Sequence, residues 1–189
     1  MNYIVFDIET TDIILDDPMN LDIAVVSVYE SKTKKIQSFL EKDFSKMWPI
    51  FQNSEAIVGY NSDHFDIPLL NKHYDGDLSE KKSIDILKSI KESFGRRIKL
   101  DSVAAGTLGR NKITSGIQAV EWWKQGRVDD VIKYCEEDVL ITKDIFEYAL
   151  KNKKLKFKDL YSDKIIEIPI ETKSWLEKQE ESKVTNSLF

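Results

Sequence analysis

Two acidic residues stand one residue apart in the segment FDIETTD (Phe6–Asp12), which ends the apolar run YIVF. The β-branched and aromatic residues before them predict a strand, and residues two apart on a strand point to the same face. Asp7 and Glu9 therefore share a face, where two carboxylates repel each other by a few kcal/mol, on the order of the Coulomb energy near a protein surface. A proton, a basic side chain or a metal ion must relieve this repulsion, and the strand itself contains no basic residue.

Three interpretations of the pair are open. A strand end that reaches solvent would leave both acids hydrated. A phosphatase would use Asp7 as a nucleophile, but that chemistry needs a second aspartate two residues on, where this chain has Glu9. A divalent-metal site would use both residues, because hard cations such as Mg²⁺ bind carboxylate oxygens. The third interpretation requires further carboxylates from other segments.

Two further acids could complete such a site. Asp66 follows a predicted strand and opens a predicted helix, where its charge could simply complement the helix dipole, with Asp63 as the N-cap. Tyr134 and Asp138 lie four residues apart in the longest helical pattern (128–152), which places them on one face. The alternative there is a tyrosine packed at the edge of the core beside a hydrated aspartate.

In this order, the segments FDIET, NSDHFD and YCEED resemble the three signature motifs of the DEDD superfamily of 3'-5' exonucleases, D-x-E, N-x-x-x-F-D and Y-x-x-x-D. The tyrosine of the third motif marks the DEDDy branch. The other branch carries a histidine before the last aspartate, and this chain has none after His73. The resemblance covers Met1 to Leu155. The segments LDSVAAGTLG and GIQAVEWWKQG also look like a bacterial and archaeal subgroup found fused or adjacent to helicases.

The resemblance implies an α/β, ribonuclease H-like fold, with a mixed five-stranded sheet flanked by helices. The order of elements agrees, because strands dominate the first part of the chain and helices the second. Predicted strands cover residues 3–9, 23–30, 36–42 and 56–61. We expect a DEDDy-type exonuclease domain over residues 1–158. Residues 159–189 should form a C-terminal hairpin and polar tail, not an independent domain.

The implied function is hydrolysis of phosphodiester bonds from the 3' end of DNA or RNA, releasing nucleoside 5'-monophosphates. Two Mg²⁺ or Mn²⁺ ions would clamp the attacking and leaving oxygens. By resemblance the metal ligands, which are also catalytic residues, are Asp7, Glu9, Asp66 and Asp138. Tyr134 would be the further catalytic residue and would orient the attacking water, since a tyrosine pKa near ~10 makes it a poor base.

The implied substrate contacts lie beside these acids. Thr10 and Thr11 would offer backbone N–H or hydroxyl groups to the terminal sugar. Asn61 and Phe65 would contact the strand, although packing in the core explains Phe65 equally well. The partner implied is a nucleic acid with a free 3' end, single-stranded, and the looser resemblance adds a helicase or another nucleic-acid-processing protein.

Two other function classes compete with the exonuclease. The first is a non-catalytic nucleic-acid-binding or scaffold module on the same fold. Degenerate copies of this kind usually lose one or more acids, whereas this chain keeps all four acids and the tyrosine. The second is a phosphohydrolase for small nucleotides, which would act on a free nucleotide but not on an oligonucleotide.

Composition narrows the class of protein. A chain of 189 residues with 41% hydrophobic residues suits one domain with a full core. Its single cysteine, Cys135, excludes an internal disulfide and fits a reducing cytoplasm, and two histidines argue against a zinc site. We expect no membrane span and no secretion signal, because the N-terminal apolar run is short and lacks a preceding basic region.

The net charge of -5 argues against binding of nucleic acid by overall charge alone. Basic residues nevertheless cluster in the segments 81–99 and 151–158. These runs could contact phosphates or form ordinary hydrated faces. Trp122 and Trp123 could stack on a base, or one of them could pack in the core.

Overall fold

One mixed sheet forms the centre of the molecule. The computed structural model describes residues 1–13, 18–110 and 116–177. The strands of the sheet are β1 (Tyr3–Thr10), β2 (Ile23–Glu30), β3 (Lys35–Phe39), β4 (Ala56–Gly59) and β5 (Ser83–Asp85). They lie in the order β3-β2-β1-β4-β5, with β1 antiparallel to β2 and parallel to β4, and β5 parallel to β4. The expected mixed five-stranded sheet is confirmed.

Helices cover both faces of this sheet. They are α1 (Phe44–Gln52), α2 (Asp66–Asn71), α3 (Ile86–Phe94), α4 (Leu100–Leu108), α5 (Gly116–Lys124), α6 (Val128–Asn152) and α7 (Lys173–Leu176). Short 3-10 turns occupy Pro18–Asn20, Glu41–Asp43 and Leu78–Glu80. The longest of these helices, α6, has the bounds that its periodicity predicts. Within the described ranges, no helix is both long and apolar enough to cross a membrane.

Strand β1 is buried on both faces. On one face Phe6 packs edge-on against Phe51 of α1, with ring centroids 5.3 Å apart. On the other face Tyr3 packs against Phe146 of α6, with centroids 5.0 Å apart, and Val5 belongs to the same core cluster. A strand covered on both faces needs apolar residues at consecutive positions, which explains the unbroken run YIVF.

The predicted strand boundaries differ from the structure by more than one residue at two places. Strand β3 ends at Phe39 instead of Lys42, because residues 41–43 form a 3-10 turn that leads into α1. Strand β4 ends at Gly59 instead of Asn61, because Asn61 adopts a left-handed conformation with φ of 69°. Strand β5 was not predicted, since it has only three residues and lies in a lysine-rich segment.

The expected C-terminal hairpin consists of β6 (Lys154–Lys158) and β7 (Ile165–Pro169), which pair antiparallel. Its buried residues Phe157 and Ile168, together with Trp175 of α7, belong to the core cluster that contains Val5. The hairpin therefore packs on the main sheet domain, and a division at residue 158 stays a prediction. The end of the expected polar tail, residues 178–189, lies outside the described residues.

A glycine lets α4 approach the hairpin closely. A Cβ atom added at Gly106 would lie 2.5 Å from the Cα and carbonyl carbon of Phe157. The next residue, Thr107, uses its hydroxyl to donate to the carbonyl of Lys156 at 2.6 Å and to accept the N–H of Lys156 at 2.9 Å. The helix thus supplies hydrogen bonds to β6 at a separation that only glycine permits.

We expect Gly106→Ala to lower the free energy of unfolding by about 1–3 kcal/mol, because the new methyl group overpacks against backbone. The usual effect of this substitution in a helix is a gain of up to ~1 kcal/mol. Urea denaturation followed by circular dichroism measures the difference. The control is Gly116→Ala in α5, where no described atom lies within 4 Å of the added Cβ. Equal effects of the two substitutions would contradict the close approach.

Candidate active site

The carboxyl end of β1 extends past its parallel neighbour. Strand β4 pairs with β1 only along residues 3–5, whereas β2 follows β1 as far as Thr10. Asp7 and Glu9 lie in this extension, and the alternation of a strand directs both to the face of Val5. That face is covered by α6, so both acids face this helix, and Asp7 is partly buried there. Glu9 is 8% exposed.

Helix α6 presents a tyrosine, a cysteine and an aspartate to these acids. The Cys135 sulfur lies 3.3 Å from the main-chain oxygen of Asp7 and 3.7 Å from its Oδ2. Tyr134 and Asp138 are each 6% exposed. Burial raises the pKa of Tyr134, and the charges of Asp138, Glu9 and Asp7 raise it further. The structure therefore brings the first and third sequence motifs into one electrostatic neighbourhood.

Helix α2 packs on the face of the sheet opposite to α6, and its first turn brings Asp66 to the end of β1. Asp66 lies in the first turn of α2 and is 5% exposed. Burial raises its pKa to about 7, and the charge of Asp85 adds to the rise. Hydrogen bonds from the backbone N–H groups of Asp66 itself and of Ile8 oppose it. Since Ile8 lies between Asp7 and Glu9, all three sequence motifs meet at one end of β1.

Asp63 does not have the helix-capping role considered for it. The N-cap residue of α2 is Phe65, which makes no side-chain cap hydrogen bond. Asp63 instead forms an ion pair with Lys88 of α3 at 3.1 Å. The acid therefore ties the loop before α2 to α3.

The donor atoms fit a hard divalent cation. Among the described residues, side-chain atoms of Asp7, Glu9 and Cys135 lie within 4.8 Å of one another. Burial and the charges of Asp7 and Glu9 raise the pKa of the Cys135 thiol, which donates to the Asp7 carbonyl and remains protonated. The atoms available to a cation are then carboxylate oxygens, which suit Mg²⁺ or Mn²⁺ better than zinc. Asp138 and Asp66 border this group but do not belong to the 4.8 Å cluster.

Two residues that lie at the site were not predicted from the sequence. Cys135 lies three residues before Asp138, and this spacing puts it on the acidic face of α6. Asp85 is 6% exposed and ends strand β5. Its carboxylate accepts hydrogen bonds from the backbone N–H groups of Asn61 at 2.9 Å and Asp63 at 3.2 Å, and it caps α3. The position of Asp85, an acid between a short apolar strand and a helix, is the sequence feature that could have identified it.

Thr10 and Thr11 lie beside the acids, but their groups already have partners. The Thr10 hydroxyl donates to the carbonyl of Asp12 at 2.7 Å. The Thr11 backbone N–H donates to the carbonyl of Asp22 at 2.9 Å. These two hydrogen bonds fix the conformation of the chain at the end of β1. A contact with a terminal sugar would therefore use the Thr11 hydroxyl or the oxygen lone pairs of Thr10. The predicted substrate contacts of both residues stay predictions.

Asn61 and Phe65 have structural roles that compete with substrate binding. The Asn61 side-chain oxygen accepts a hydrogen bond from Arg97 at 2.7 Å, and its left-handed backbone is a conformation that asparagine tolerates. Phe65 is partly buried against the core cluster that contains Phe6 and Phe51. Both residues border the acids, and their contacts with substrate stay predictions.

The two other groups considered for substrate binding have contacts within the chain. Trp122 lies edge-on to Tyr134, with ring centroids 6.4 Å apart, and Trp123 is partly buried against the small cluster beside α6. Lys154 and Lys156 both pair with Glu167 across the hairpin. These lysines therefore stabilise the hairpin, which favours the interpretation of an ordinary charged face for this part of the run.

Comparisons with known proteins agree with this architecture. A family model described as the RNase H superfamily matches residues 4–150. No curated protein sequence matches the chain. Among solved structures, the family B DNA polymerase of the hyperthermophilic archaeon Pyrobaculum calidifontis is similar over 79% of this chain, with a TM-score of 0.62 and 21% identity. The matched region is 24% of the polymerase, so the chain spans about a quarter of its length. The expected ribonuclease H-like fold is confirmed.

The raised pKa of Asp66 makes the stability of the metal-free protein depend on pH. Between the ordinary aspartate pKa of about 4 and the folded value of about 7, the folded state binds more protons than the unfolded state. The contribution of Asp66 to the free energy of unfolding therefore falls as pH rises through this window. We expect Asp66→Asn to flatten the slope and to stabilise the protein above pH 7 in EDTA.

Urea denaturation from pH 5 to pH 8 tests this expectation. The matched control is Asp75→Asn, which changes an exposed carboxylate in the loop after α2. A slope unchanged by Asp66→Asn, or changed equally by Asp75→Asn, would show that burial of Asp66 does not perturb its ionisation.

Proposed function

Because the chain belongs to the RNase H superfamily, we propose that it is a metal-dependent 3'-5' exonuclease. Its substrate would be DNA or RNA with a free 3' end, and its products nucleoside 5'-monophosphates. The observation that carries the proposal is the meeting of three elements at one end of β1: Asp7 and Glu9 on the strand, Asp66 on α2, and Tyr134 with Asp138 on α6.

The carboxylates have a clear role in this chemistry. Asp7, Glu9, Asp66 and Asp138 would together hold two divalent ions. When bound, such ions lower the pKa of a water molecule and stabilise the negative charge that develops on a phosphodiester. The same ions would offset the mutual repulsion of buried acids, which accounts for their tolerance in a folded protein.

Tyr134 would position the attacking water. Burial and the neighbouring carboxylates raise the pKa of its hydroxyl, which therefore stays protonated at neutral pH. A protonated hydroxyl can donate one hydrogen bond and accept another, but it does not abstract a proton. Orientation of the nucleophile is thus the contribution that its chemistry supports.

The experiment that tests the function uses 5'-labelled single-stranded DNA, single-stranded RNA and duplexes with Mg²⁺ or Mn²⁺. We expect the wild-type protein to produce a ladder that shortens from the 3' end, and Asp7→Ala to abolish it while the thermal melting curve still shows a folded protein. The sugar preference follows from the substrate that is degraded.

The matched control is Glu137→Ala, an exposed acid on α6 that neighbours Asp138. It should degrade the oligonucleotides at the wild-type rate. A fully active Asp7→Ala protein would refute the mechanism, and cleavage at internal positions would replace the exonuclease by an endonuclease.

Tyr134→Phe removes the hydroxyl and keeps the ring that packs near Trp122. We expect kcat to fall by about 10- to 100-fold, which corresponds to about 1.4–2.7 kcal/mol of transition-state stabilisation. KM should change little, since the hydroxyl acts on the water and not on the bound strand. Steady-state kinetics on a labelled oligonucleotide measure both values, and an unchanged kcat would remove Tyr134 from the site.

A further inference from the structure

A cavity of about 290 Å³ lies beside the site, between the loop before α2 and helix α3. Its lining residues are Asn61, Asp63, His64, Asp85, Leu87, Lys88, Lys91 and Arg97. The volume is many times the ~30 Å³ share of a water molecule in the liquid, so a solvated phosphate group has room. The wall on one side belongs to the motif NSDHFD, which also contains Asp66.

The positive charges of the cavity come from two segments. Lys88 and Lys91 are three residues apart on α3, and this spacing puts them on one face. Arg97 follows α3 and donates to the neutral side-chain oxygen of Asn61 at 2.7 Å. Among the residues that the structure describes, Lys88 pairs with Asp63, whereas neither Lys91 nor Arg97 lies within 4.0 Å of a carboxylate oxygen.

The two acids of the cavity are occupied by other contacts. Asp63 pairs with Lys88 and accepts a hydrogen bond from Ser83. Asp85 is buried, and its oxygens accept the backbone N–H groups of Asn61, Asp63 and Lys88. The lining therefore has three cationic and two anionic side chains, a formal net charge of +1, in a protein whose overall charge is -5. Lys91 and Arg97 are exposed and are the two of these cations that do not pair with a described carboxylate.

We infer that this cavity is a binding subsite for a backbone phosphate of the single-stranded nucleic acid, on the strand that leads away from the cleaved nucleotide. The inference rests on the proposed function and assigns Lys91 and Arg97 as the residues that bind the phosphate. The cavity and the acids share the Asn61–Asp66 loop, and both lie at the carboxyl edge of the parallel strands β1, β4 and β5. In this proposal a strand bound at the acids continues along that edge over the cavity. Lys and Arg neutralise phosphates and release their counterions, which makes such a contact salt-dependent and independent of base sequence.

Binding tests the subsite without any need for catalysis. Fluorescein-labelled ten-nucleotide single strands of DNA and RNA are titrated with the Asp7→Ala protein in Mg²⁺, at salt concentrations from 50 to 200 mM. We expect Lys91→Gln and Arg97→Gln each to weaken binding severalfold and to reduce the slope of log K against log salt by about 0.7, the value for one phosphate contact on a single strand. Lys32→Gln is the control, because this exposed lysine follows β2 at the opposite end of the sheet.

Hydrolysis separates strand binding from an effect on the acids. With catalytically intact protein, the same substitutions should raise KM for the oligonucleotide. They should leave kcat/KM unchanged for the p-nitrophenyl ester of thymidine 5'-monophosphate, which is too short to reach the cavity. Equal losses on both substrates would show that Arg97 acts through Asn61 on the catalytic site, and would overturn the subsite.

The outcomes distinguish the subsite from the proposed function. A wild-type protein that hydrolyses neither substrate contradicts the exonuclease, while the binding measurements still decide the role of the cavity. Affinities and salt slopes of the Lys91 and Arg97 variants that match those of Lys32→Gln overturn the subsite even in an active enzyme.

Discussion

The burial of carboxylates at the end of β1 is the constraint around which the site is arranged. As far as Val5 the strand is covered by apolar residues on both faces. Beyond this point β4 has turned away, and the side chains that face α6 become Asp7 and Glu9. Ionised acids in such a place are unfavourable unless hydrogen bonds or a counter-charge stabilise them. Helix α6 places the Cys135 thiol 3.7 Å from Asp7 Oδ2 and Tyr134 close enough for the charges of both acids to raise its pKa. A divalent cation would supply the counter-charge that these acids need.

The parts of this arrangement that depend on local pattern could be predicted from the sequence. Strand β2 and helix α6 have the predicted bounds, because their periodicity is sustained over many residues. The placement of Asp7 and Glu9 on one face follows from the alternation of a strand, and that of Tyr134 and Asp138 from the helical repeat. These relations hold within one element and need no knowledge of its neighbours.

The parts that were missed depend on contacts between distant segments. Strand β5 has three residues and forms because it pairs with the edge of β4. No local sequence pattern indicates this pairing. Cys135 enters the site because α6 packs on β1 with this sulfur against the Asp7 carbonyl. The partners of Thr11 and Asn61 likewise lie 11 and 36 residues away. A list of polar residues near a motif therefore predicts proximity, but not which of their groups remain available.

Asp85 shows why an acid outside the motifs is needed at this end of the sheet. Its two carboxylate oxygens accept three backbone N–H groups, from Asn61, Asp63 and Lys88, and so hold the loop before α2 against the start of α3. An asparagine has only one acceptor oxygen and could not make the same set of bonds. The charge also raises the pKa of Asp66, which opposes ionisation of that residue. Asp85, which anchors the loop, thus disfavours the ionised form of Asp66. A cation bound at the acids would offset the repulsion between these two carboxylates.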